Sequence, residues 1–286
     1  MQLIQGFVLA IGRWPKSLRT VVANCLGWGL RHVPNRSKTT TEFNLTLVFP
    51  AMDSAKRNDL RDASLNNLGR KIVDMLATWQ RAPNVAKTRV ASVSGFDLFE
   101  RARAEGSVLI LLPHLGNWEL FGAWLSLQYP YTAMFRPLRV DSMSKMVKRA
   151  RERGGNRLVP ANALGVKALL KDLRSGATAI VLPDQTPKKG MGEYAPFFDV
   201  EALTPTLPYR LAKAARPSVF IAGAVEEGSA YRIFFDRLDV PEGADSRTWL
   251  TQMNRQIEGW IRQYPEQYQW EYARFRNAPD GTIRTP

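Results

Sequence analysis

Short apolar runs alternate with longer amphipathic stretches from Ser107 almost to the end of the chain. Apolar runs of this kind predict buried strands, and stretches with an apolar residue at every third or fourth position predict helices. Strands separated by helices pair in parallel, because the intervening helix returns the chain to the same edge of the sheet. The sequence therefore predicts an α/β fold with a mostly parallel central sheet flanked by helices.

The predicted elements follow one another along the chain. Strands are predicted at 107–112, 131–135, 157–159, 177–182, 218–225 and 230–236. Helices are predicted at 118–127, 141–153, 163–174, 206–215 and 246–264. A further short element over 93–103, with helical character, should end at Gly106, because glycine commonly terminates helices.

The N-terminal part of the chain predicts a layer of amphipathic helices. Apolar residues fall on one helical face in two successive segments, Leu3, Ile4, Phe7, Val8 and Ile11 and then Leu18, Val21, Val22, Cys25 and Leu26. Basic and aromatic residues between the segments favour helices that lie on a bilayer, although helices that only cover a core carry the same stripe. A long helix over 54–80 follows, and we expect it to pack on the core.

We expect neither a cleaved signal peptide nor a membrane span at the N-terminus. The first apolar segment has no basic residue ahead of it, and it falls short of the roughly 18 consecutive apolar residues that a span needs. No internal repeat or linker divides the chain. The sequence thus predicts one domain over 1–286, with a helical, membrane-associating part at 1–80 and the α/β core at 93–276.

The charge of the chain predicts an anionic partner. Lys and Arg total 40 residues against 26 Asp and Glu, a net charge of +14, which suits nucleic acid or an anionic membrane. Eight Trp and eight Tyr favour the membrane, because amphipathic rings settle at its interface. A single cysteine excludes an internal disulfide and a cysteine metal cluster, and with only two histidines we expect no zinc site.

A histidine stands at the end of the first strand of the α/β part. Pro113 stops the apolar run, so His114 lies in a strand-to-helix turn, where α/β folds place their ligand sites. Glu119 falls in the first turn of the next helix, from which its carboxylate can reach the imidazole. This is the arrangement of a general base and the acid that orients it. The same spacing would also occur if His114 were only a hydrogen-bonded structural residue and Glu119 only complemented the helix dipole.

A second acid follows a second strand. Asp184 and Gln185 come directly after the predicted strand 177–182, and parallel strands would bring Asp184 to the same sheet edge as His114. Asp184 is therefore the alternative orienting acid, although an ordinary Asx turn between prolines explains it equally well. Gln185 and Asn117 are candidate contacts for the substrate.

Basic side chains supply candidate donors to an anion. Arg136 follows the predicted strand 131–135, and Arg149, Arg151 and Arg153 lie in the next helix. A guanidinium can clamp a phosphate or stabilise a developing oxyanion. We expect this role for Arg136 and for Arg149 or Arg151, with the rest of the basic run forming a solvated face.

Aromatic residues alternate with arginines in the C-terminal segment 267–276. Such a pattern can stack on single-stranded nucleic acid. The chain contains no RNA- or DNA-binding motif, so we expect this segment to pack against the membrane side of the fold and expect no nucleic-acid partner.

Six sequence blocks, in order, resemble one protein family. They are FNLTLVFP, HLGNWE, FRPL, ARERGG, PDQTPKKGMG with the PFF and TPT that follow, and PEQYQWEYARFR. HLGNWE is similar to the His-x4-Asp/Glu motif of the lysophospholipid acyltransferase superfamily. Within that superfamily the blocks most resemble the bacterial lipid A biosynthesis acyltransferases, the lauroyl and myristoyl transferases.

The resemblance implies acyl transfer to a lipid hydroxyl without a cofactor or metal. His114 would be the base, Glu119 the motif acid, Asp184 the second acid, and Arg149 or Arg151 a donor to the oxyanion. The family implies acyl carrier protein or acyl-CoA as donor, and a phosphorylated glucosamine disaccharide or similar glycolipid as acceptor. It also implies residence at the cytoplasmic face of the bacterial inner membrane, peripheral or N-terminally anchored.

Other functions stay open from the sequence alone. Related acyltransferases use phosphatidylinositol mannosides or amino-acid lipids as acceptors. A thioester hydrolase would use the same residues with water as acceptor, and a non-catalytic basic membrane-binding protein would need none of them. The motif acid is Glu rather than the Asp found in much of the superfamily, so whether Glu119 or Asp184 orients His114 is open.

Overall fold

The computed structural model describes residues 10–138 and 140–285. The predicted apolar positions Leu3, Ile4, Phe7 and Val8 lie outside these ranges. The chain divides into two compact units, each assembled from three separate segments. Within the described residues, the first unit comprises 10–19, 73–182 and 210–237, and the second comprises 20–72, 183–209 and 238–285. The single domain stays a prediction.

The strands agree with the predicted positions, with additions. They are β1 (Val90–Ser94), β2 (Val108–Leu111), β3 (Tyr131–Phe135), β4 (Arg157–Pro160), β5 (Thr178–Val181), β6 (Gly192–Phe197), β7 (Val200–Pro205), β8 (Ser218–Glu227) and β9 (Ala230–Arg237). The sequence did not predict β1, β6 or β7.

The helices alternate with these strands as predicted. They are α1 (Lys16–His32), α2 (Arg36–Val48), α3 (Ser54–Gln80), α4 (Asn84–Lys87), α5 (Phe96–Glu105), α6 (Trp118–Leu125), α7 (Asp141–Glu152), α8 (Ala163–Arg174), α9 (Leu207–Ala215) and α10 (Ser246–Gln263), and a 3₁₀ turn follows at Pro265–Gln267. The sequence did not predict α2 or α4.

A seven-stranded sheet forms the centre of the first unit. Its strand order is β1-β9-β8-β2-β5-β3-β4. All neighbours pair in parallel except β8 and β9, which form an antiparallel pair. The predicted mostly parallel α/β sheet flanked by helices is therefore confirmed.

The core of this unit is densest around β2. Its four residues are completely buried, as expected for a strand with parallel neighbours on both sides and helices over both faces. Aromatic rings of α5, α6 and β9 cover one face, with Phe235 4.8 Å from Phe99 and 5.5 Å from Phe121 between ring centroids. Burial of each large apolar side chain contributes about 1.5–3 kcal/mol to stability.

The predicted element over 93–103 is a strand followed by a helix. β1 ends at Ser94, and Gly95 adopts the left-handed conformation (φ 71°) before α5 begins. Gly106 ends α5 as predicted, and its N–H donates to the carbonyl of Ala102 (3.0 Å).

The second unit contains the antiparallel hairpin β6–β7, which packs on α10. Its turn consists of Phe198 and Asp199, both with positive φ (52° and 59°). Turns of this type usually contain glycine or asparagine, so the sequence carried no hairpin signal here. From α10, the side-chain amide of Asn254 donates to the carbonyl of Pro196 (2.8 Å).

The described helices show no segment long and apolar enough to cross a bilayer. α1 exposes an apolar face to solvent. This face includes Leu18 (51% exposed), Val21 (58%) and Trp28 (57%). Cys25 is exposed on the same face, because these positions are spaced by three and four residues along the helix.

The turn that follows β2 is fixed to the sheet by its backbone. Gly116 forms a parallel bridge with Ala224 of β8, and the N–H of Asn117 donates to the Ala224 carbonyl (2.8 Å). Gly116 has φ of 61°, and a Cβ at this position would collide with the Ala224 carbonyl oxygen. Only glycine tolerates both the positive φ and the close approach of this carbonyl oxygen.

We predict that Gly116→Ala lowers the free energy of unfolding by more than the roughly 1–3 kcal/mol of left-handed strain, because the collision adds to it. The matched control is Gly176→Ala in the same unit, where φ is 84° and no described atom lies within 4 Å of the added carbon. Chemical denaturation of both variants measures the difference. Equal losses would contradict the close approach of Gly116 to β8.

Candidate active site

His114 lies in the turn between β2 and α6, as the sequence predicted. Its side chain is nearly buried, with 9% of the residue surface exposed. Its ring and the indole of Trp118 form a T-shaped contact, with 4.8 Å between ring centroids and 70° between planes. Trp118 was not predicted as a site residue. It restricts the orientation of the imidazole from the first turn of α6.

Asn117 caps α6 at its N-terminus. Its side-chain oxygen accepts a hydrogen bond from the N–H of Leu120 (2.9 Å), and the residue is 2% exposed. Asparagine is a favoured cap because it satisfies one of the N–H groups that a helix start leaves unpaired. The side chain of Asn117 thus stabilises the turn that holds His114, and its contact with substrate stays a prediction.

Glu119 forms a buried ion pair with Arg151 of α7. Nε of Arg151 donates to one carboxylate oxygen (3.1 Å), and Nη2 donates to the other. The side chain of Glu119 is 4% exposed and that of Arg151 30% exposed. A forked pair of charge-assisted hydrogen bonds fixes both groups in direction as well as distance.

The ion pair keeps Arg151 charged. Burial alone would lower the pKa of Arg151, but the charge and hydrogen bonds of Glu119 raise it above its ordinary value overall. Tyr131 of β3 lies nearby, and burial, followed by the charge of Glu119, raises the pKa of its hydroxyl. Gly122 leaves room for that hydroxyl, since a Cβ at Gly122 would stand 2.8 Å from it.

A cavity of about 60 Å³ opens beside the ion pair. Its wall combines these charged groups with apolar side chains, among them Trp79, Leu112, Trp118, Met134, Ala150 and Leu182. The cavity therefore brings an apolar surface next to Glu119 and Arg151.

The structure distinguishes among the predicted arginines. Of the alternatives Arg149 and Arg151, Arg151 contacts Glu119, whereas Arg149 is exposed on α7. Arg136 is exposed directly after β3. Arg153 has a structural role, because its guanidinium donates to the carbonyl of Trp79 (2.7 Å).

Asp184 belongs to the second unit, where it is 3% exposed. The hydroxyl of Tyr268 hydrogen-bonds to its carboxylate, and burial together with the charge of Asp184 raises the pKa of that hydroxyl. Lys71 and Arg274 of the same unit are also buried. Burial lowers the pKa of both cations, and the charge of Asp184 acts in the opposite direction. Asp184 thus balances buried positive charge, and its role as second acid stays a prediction.

Gln185 ties the segment after Asp184 to the C-terminal segment. Its amide donates to the side-chain oxygen of Gln269 (3.1 Å), and the N–H of Thr186 donates to the hydroxyl of Tyr272 (3.1 Å). Two of the sequence blocks that lie far apart in the chain therefore meet within the second unit.

Most aromatic residues of 267–276 and Arg274 pack inward in this unit, whereas Arg276 is exposed. Trp270 is 1% exposed and Arg274 is 2% exposed. The Arg274 guanidinium donates to the carbonyl of Leu203 (2.7 Å) and the hydroxyl of Thr204 (2.8 Å). Buried side chains such as Trp270 and Arg274 cannot stack on bases, so their role in the structure is packing within this unit.

Across residues 10–138 and 140–285, no cluster of three or more His, Cys, Asp and Glu side chains could hold a metal ion.

We predict that Glu119→Gln lowers the free energy of unfolding by about 2–4 kcal/mol, because it leaves the Arg151 guanidinium without its counter-charge. Glu105→Gln, an exposed change at the end of α5, is the control and should stay within about 0.5 kcal/mol of wild type. Denaturant unfolding measures both. Combining Glu119→Gln with Arg151→Gln should cost less than the sum of the single changes, and strict additivity would argue against the pair.

Comparisons with known proteins identify the family of the chain. The sequence profile of the bacterial lipid A biosynthesis acyltransferase family matches residues 2–277. The lipid A biosynthesis palmitoleoyltransferase of Escherichia coli (strain K12) is 28% identical over 251 residues, which are 86% of this chain and 81% of that protein. The myristoyltransferase of the same strain is 25% identical over 275 residues (94% and 84%), and the lauroyltransferase is 24% identical over 257 residues (88% and 83%).

The family match covers nearly the whole chain, and therefore both units and all the predicted site residues. The expected resemblance is confirmed, and with it an acyl donor and a lipid acceptor as the two classes of substrate. The chain belongs to the bacterial lipid A biosynthesis acyltransferases.

Proposed function

We propose that the protein transfers a fatty acyl chain from the thioester of acyl carrier protein or acyl-CoA to a hydroxyl of a lipid A precursor or similar glycolipid, with His114 as general base. The observation that carries this proposal is the position of His114. Its imidazole lies in a turn fixed to the sheet, against Trp118 and just before the buried Glu119–Arg151 pair. A histidine held in this way suits proton transfer, which depends on position before it depends on pKa.

The reaction needs one base and one donor to the oxyanion. His114 takes the proton of the acceptor hydroxyl as its oxygen attacks the thioester carbonyl carbon. The carbonyl becomes a tetrahedral oxyanion, which collapses by breaking the carbon–sulfur bond. The imidazolium then returns the proton to the departing thiolate, so His114 ends the cycle neutral.

Arg151 is the donor that we assign to the oxyanion. A guanidinium carries five N–H groups, and the fork to Glu119 uses those on Nε and Nη2. The other donors remain for the cavity into which Arg151 is partly exposed. Glu119 would thereby position Arg151. Its predicted role as the motif acid that orients His114 stays a prediction, beside that of Asp184. One such donor typically contributes about 3–4 kcal/mol to the stability of the transition state.

The remaining predicted residues keep their proposed roles. Asp184 would be the second acid, while the exposed Arg136 and Arg149 would contact phosphates of the acceptor or an acidic carrier protein. Asn117 and Gln185 would contact the substrate, in addition to holding the backbone around them in place.

We propose peripheral attachment to the cytoplasmic face of the inner membrane. The apolar face of α1 (Leu18, Val21, Trp28) is exposed, and the helix ends in Arg31 and His32. Such helices lie in the plane of the interface, and the net charge of +14 adds attraction to anionic lipids.

The direct test is transfer of a labelled acyl chain from acyl carrier protein or acyl-CoA to a panel of lipid acceptors. We predict that His114→Ala lowers the rate at least 100-fold, within the range for loss of a general base. His32→Ala changes the only other histidine in the chain, which is exposed on α1, and should keep most of the activity. Activity in His114→Ala equal to wild type would overturn the assignment, and release of label only to water would identify a hydrolase.

We predict that Arg151→Lys lowers kcat about 100-fold, because an ammonium keeps the charge but cannot bind Glu119 through a fork. Arg149→Lys makes the same change at an exposed position of the same helix and should lower kcat less than threefold. Steady-state kinetics of both variants measure the two values. A larger loss in Arg149→Lys would transfer the oxyanion role to Arg149.

A further inference from the structure

A second cavity of the first unit is surrounded by arginines. It has a volume of about 20 Å³, and Arg19, Arg81 and Arg89 contribute to its wall. Arg19 comes from the start of α1, while Arg81 and Arg89 flank α4. Leu120 and Val85 supply an apolar part of the same wall. The acyl-transfer mechanism uses none of these side chains.

One carboxylate, that of Asp74, contacts two of these three guanidinium groups. Oδ2 of Asp74 accepts hydrogen bonds from Arg89 (2.7 Å) and from the hydroxyl of Tyr231 (2.8 Å). Oδ1 of Asp74 lies 3.6 Å from Nη1 of Arg19. Three guanidinium groups thus surround this cavity, Asp74 contacts two of them, and the charge of Glu226 also acts on Tyr231.

Arg19 is the least satisfied member of this cluster. Its side chain is only 11% exposed, and its Nε and Nη1 atoms are buried without a hydrogen-bond partner. Burial, followed by the charge of Arg81, lowers the pKa of Arg19, and Asp74 raises it in part. Buried N–H groups without hydrogen-bond partners are unfavourable, so a ligand that offers acceptor oxygens to Nε and Nη1 would be attracted.

The other two arginines are held in place by contacts of their own. Arg81 donates to the carbonyls of Gly12 (3.3 Å) and Trp14 (3.1 Å). The guanidinium of Arg89 lies over the ring of Tyr231, 5.0 Å from its centroid. The positive charges are therefore already ordered, and a ligand would not have to order them.

We propose that this cavity binds a phosphate group, at a site distinct from the acyl-transfer centre. A phosphate carries the charge that the cluster lacks, and guanidinium forks match its oxygens. The cavity has room for one or two oxygen atoms, since a water-sized atom needs about 10–15 Å³. The phosphate would enter by one edge and stay partly outside the cavity, beside Arg89, whose side chain is 26% exposed.

Two sources offer this chemistry, a phospholipid head group and free phosphate. Leu18 precedes Arg19 in α1 and is 51% exposed, so an apolar side chain accompanies the cationic one at the surface. That combination suits a lipid head group, and the experiment separates it from free phosphate.

The first measurement is thermal unfolding of the full chain in inorganic phosphate, with sodium chloride at equal ionic strength as reference. We expect phosphate at saturating concentration to raise Tm of the wild type by on the order of 5 °C. Arg19→Gln should abolish this shift. Arg13→Gln removes the same charge at a nearby exposed position and should keep it. An equal shift in Arg19→Gln, or no shift in the wild type, would overturn the site.

Misfolding is controlled in two ways. Arg19→Gln should have a Tm in phosphate-free buffer no lower than that of wild type, because it removes an unsatisfied charge. If this variant unfolds, Arg89→Lys replaces it, since the lysine keeps the charge but loses the fork. Arg89→Lys should weaken phosphate binding about tenfold, and unchanged binding would contradict the proposal.

Vesicles of phosphatidylglycerol distinguish the two sources. For a head-group site, Arg19→Gln should reduce sedimentation with these vesicles several-fold more than Arg13→Gln does. If both variants lose vesicle sedimentation equally, while inorganic phosphate still raises the Tm of the wild type, free phosphate is the ligand. If both variants lose sedimentation equally and phosphate does not raise the Tm of the wild type, the site is rejected. Neither readout involves acyl transfer, so the result is independent of the proposed reaction.

Discussion

The complete burial of β2 is the constraint on which the rest of the first unit depends. In a strand with no exposed residue, the backbone N–H and C=O groups must find hydrogen-bond partners inside the protein. Parallel pairing with β5 and β8 provides these partners. The turn after β2 continues this pairing through Gly116 and Asn117, so His114 stands on backbone fixed to the sheet rather than on a free loop. A precise site needs such rigid support.

The sequence predicted the elements that depend on local residue patterns. β2, the turn with His114 and the start of α6 all follow from an apolar run, a proline and a helical stripe. The pair between Glu119 and Arg151 could not be predicted, because it requires the packing of α7 beside α6, and the sequence did not decide between Arg149 and Arg151. The neighbours of Asp184 come from distant segments, and the β6–β7 turn lacks its usual glycine.

The net charge has a different meaning once the structure is known. Part of the excess of basic residues is enclosed by protein, since Lys71 and Arg274 are buried around Asp184 and Arg19 is nearly buried beside Asp74. Those charges serve internal electrostatics and contribute little to long-range attraction, which depends on exposed groups such as Arg136 and Arg149. A count of charges alone therefore overstates how strongly the surface of this acyltransferase attracts anions.

The exposed face of α1 also has a practical consequence. Cys25 is the only cysteine of the chain, and it lies exposed in line with Leu18, Val21 and Trp28. A thiol-reactive fluorophore would therefore attach at one position without any engineered residue. A dye sensitive to polarity at that thiol would shift its emission on entering lipid, so the natural sequence already contains a spectroscopic reporter for this helix.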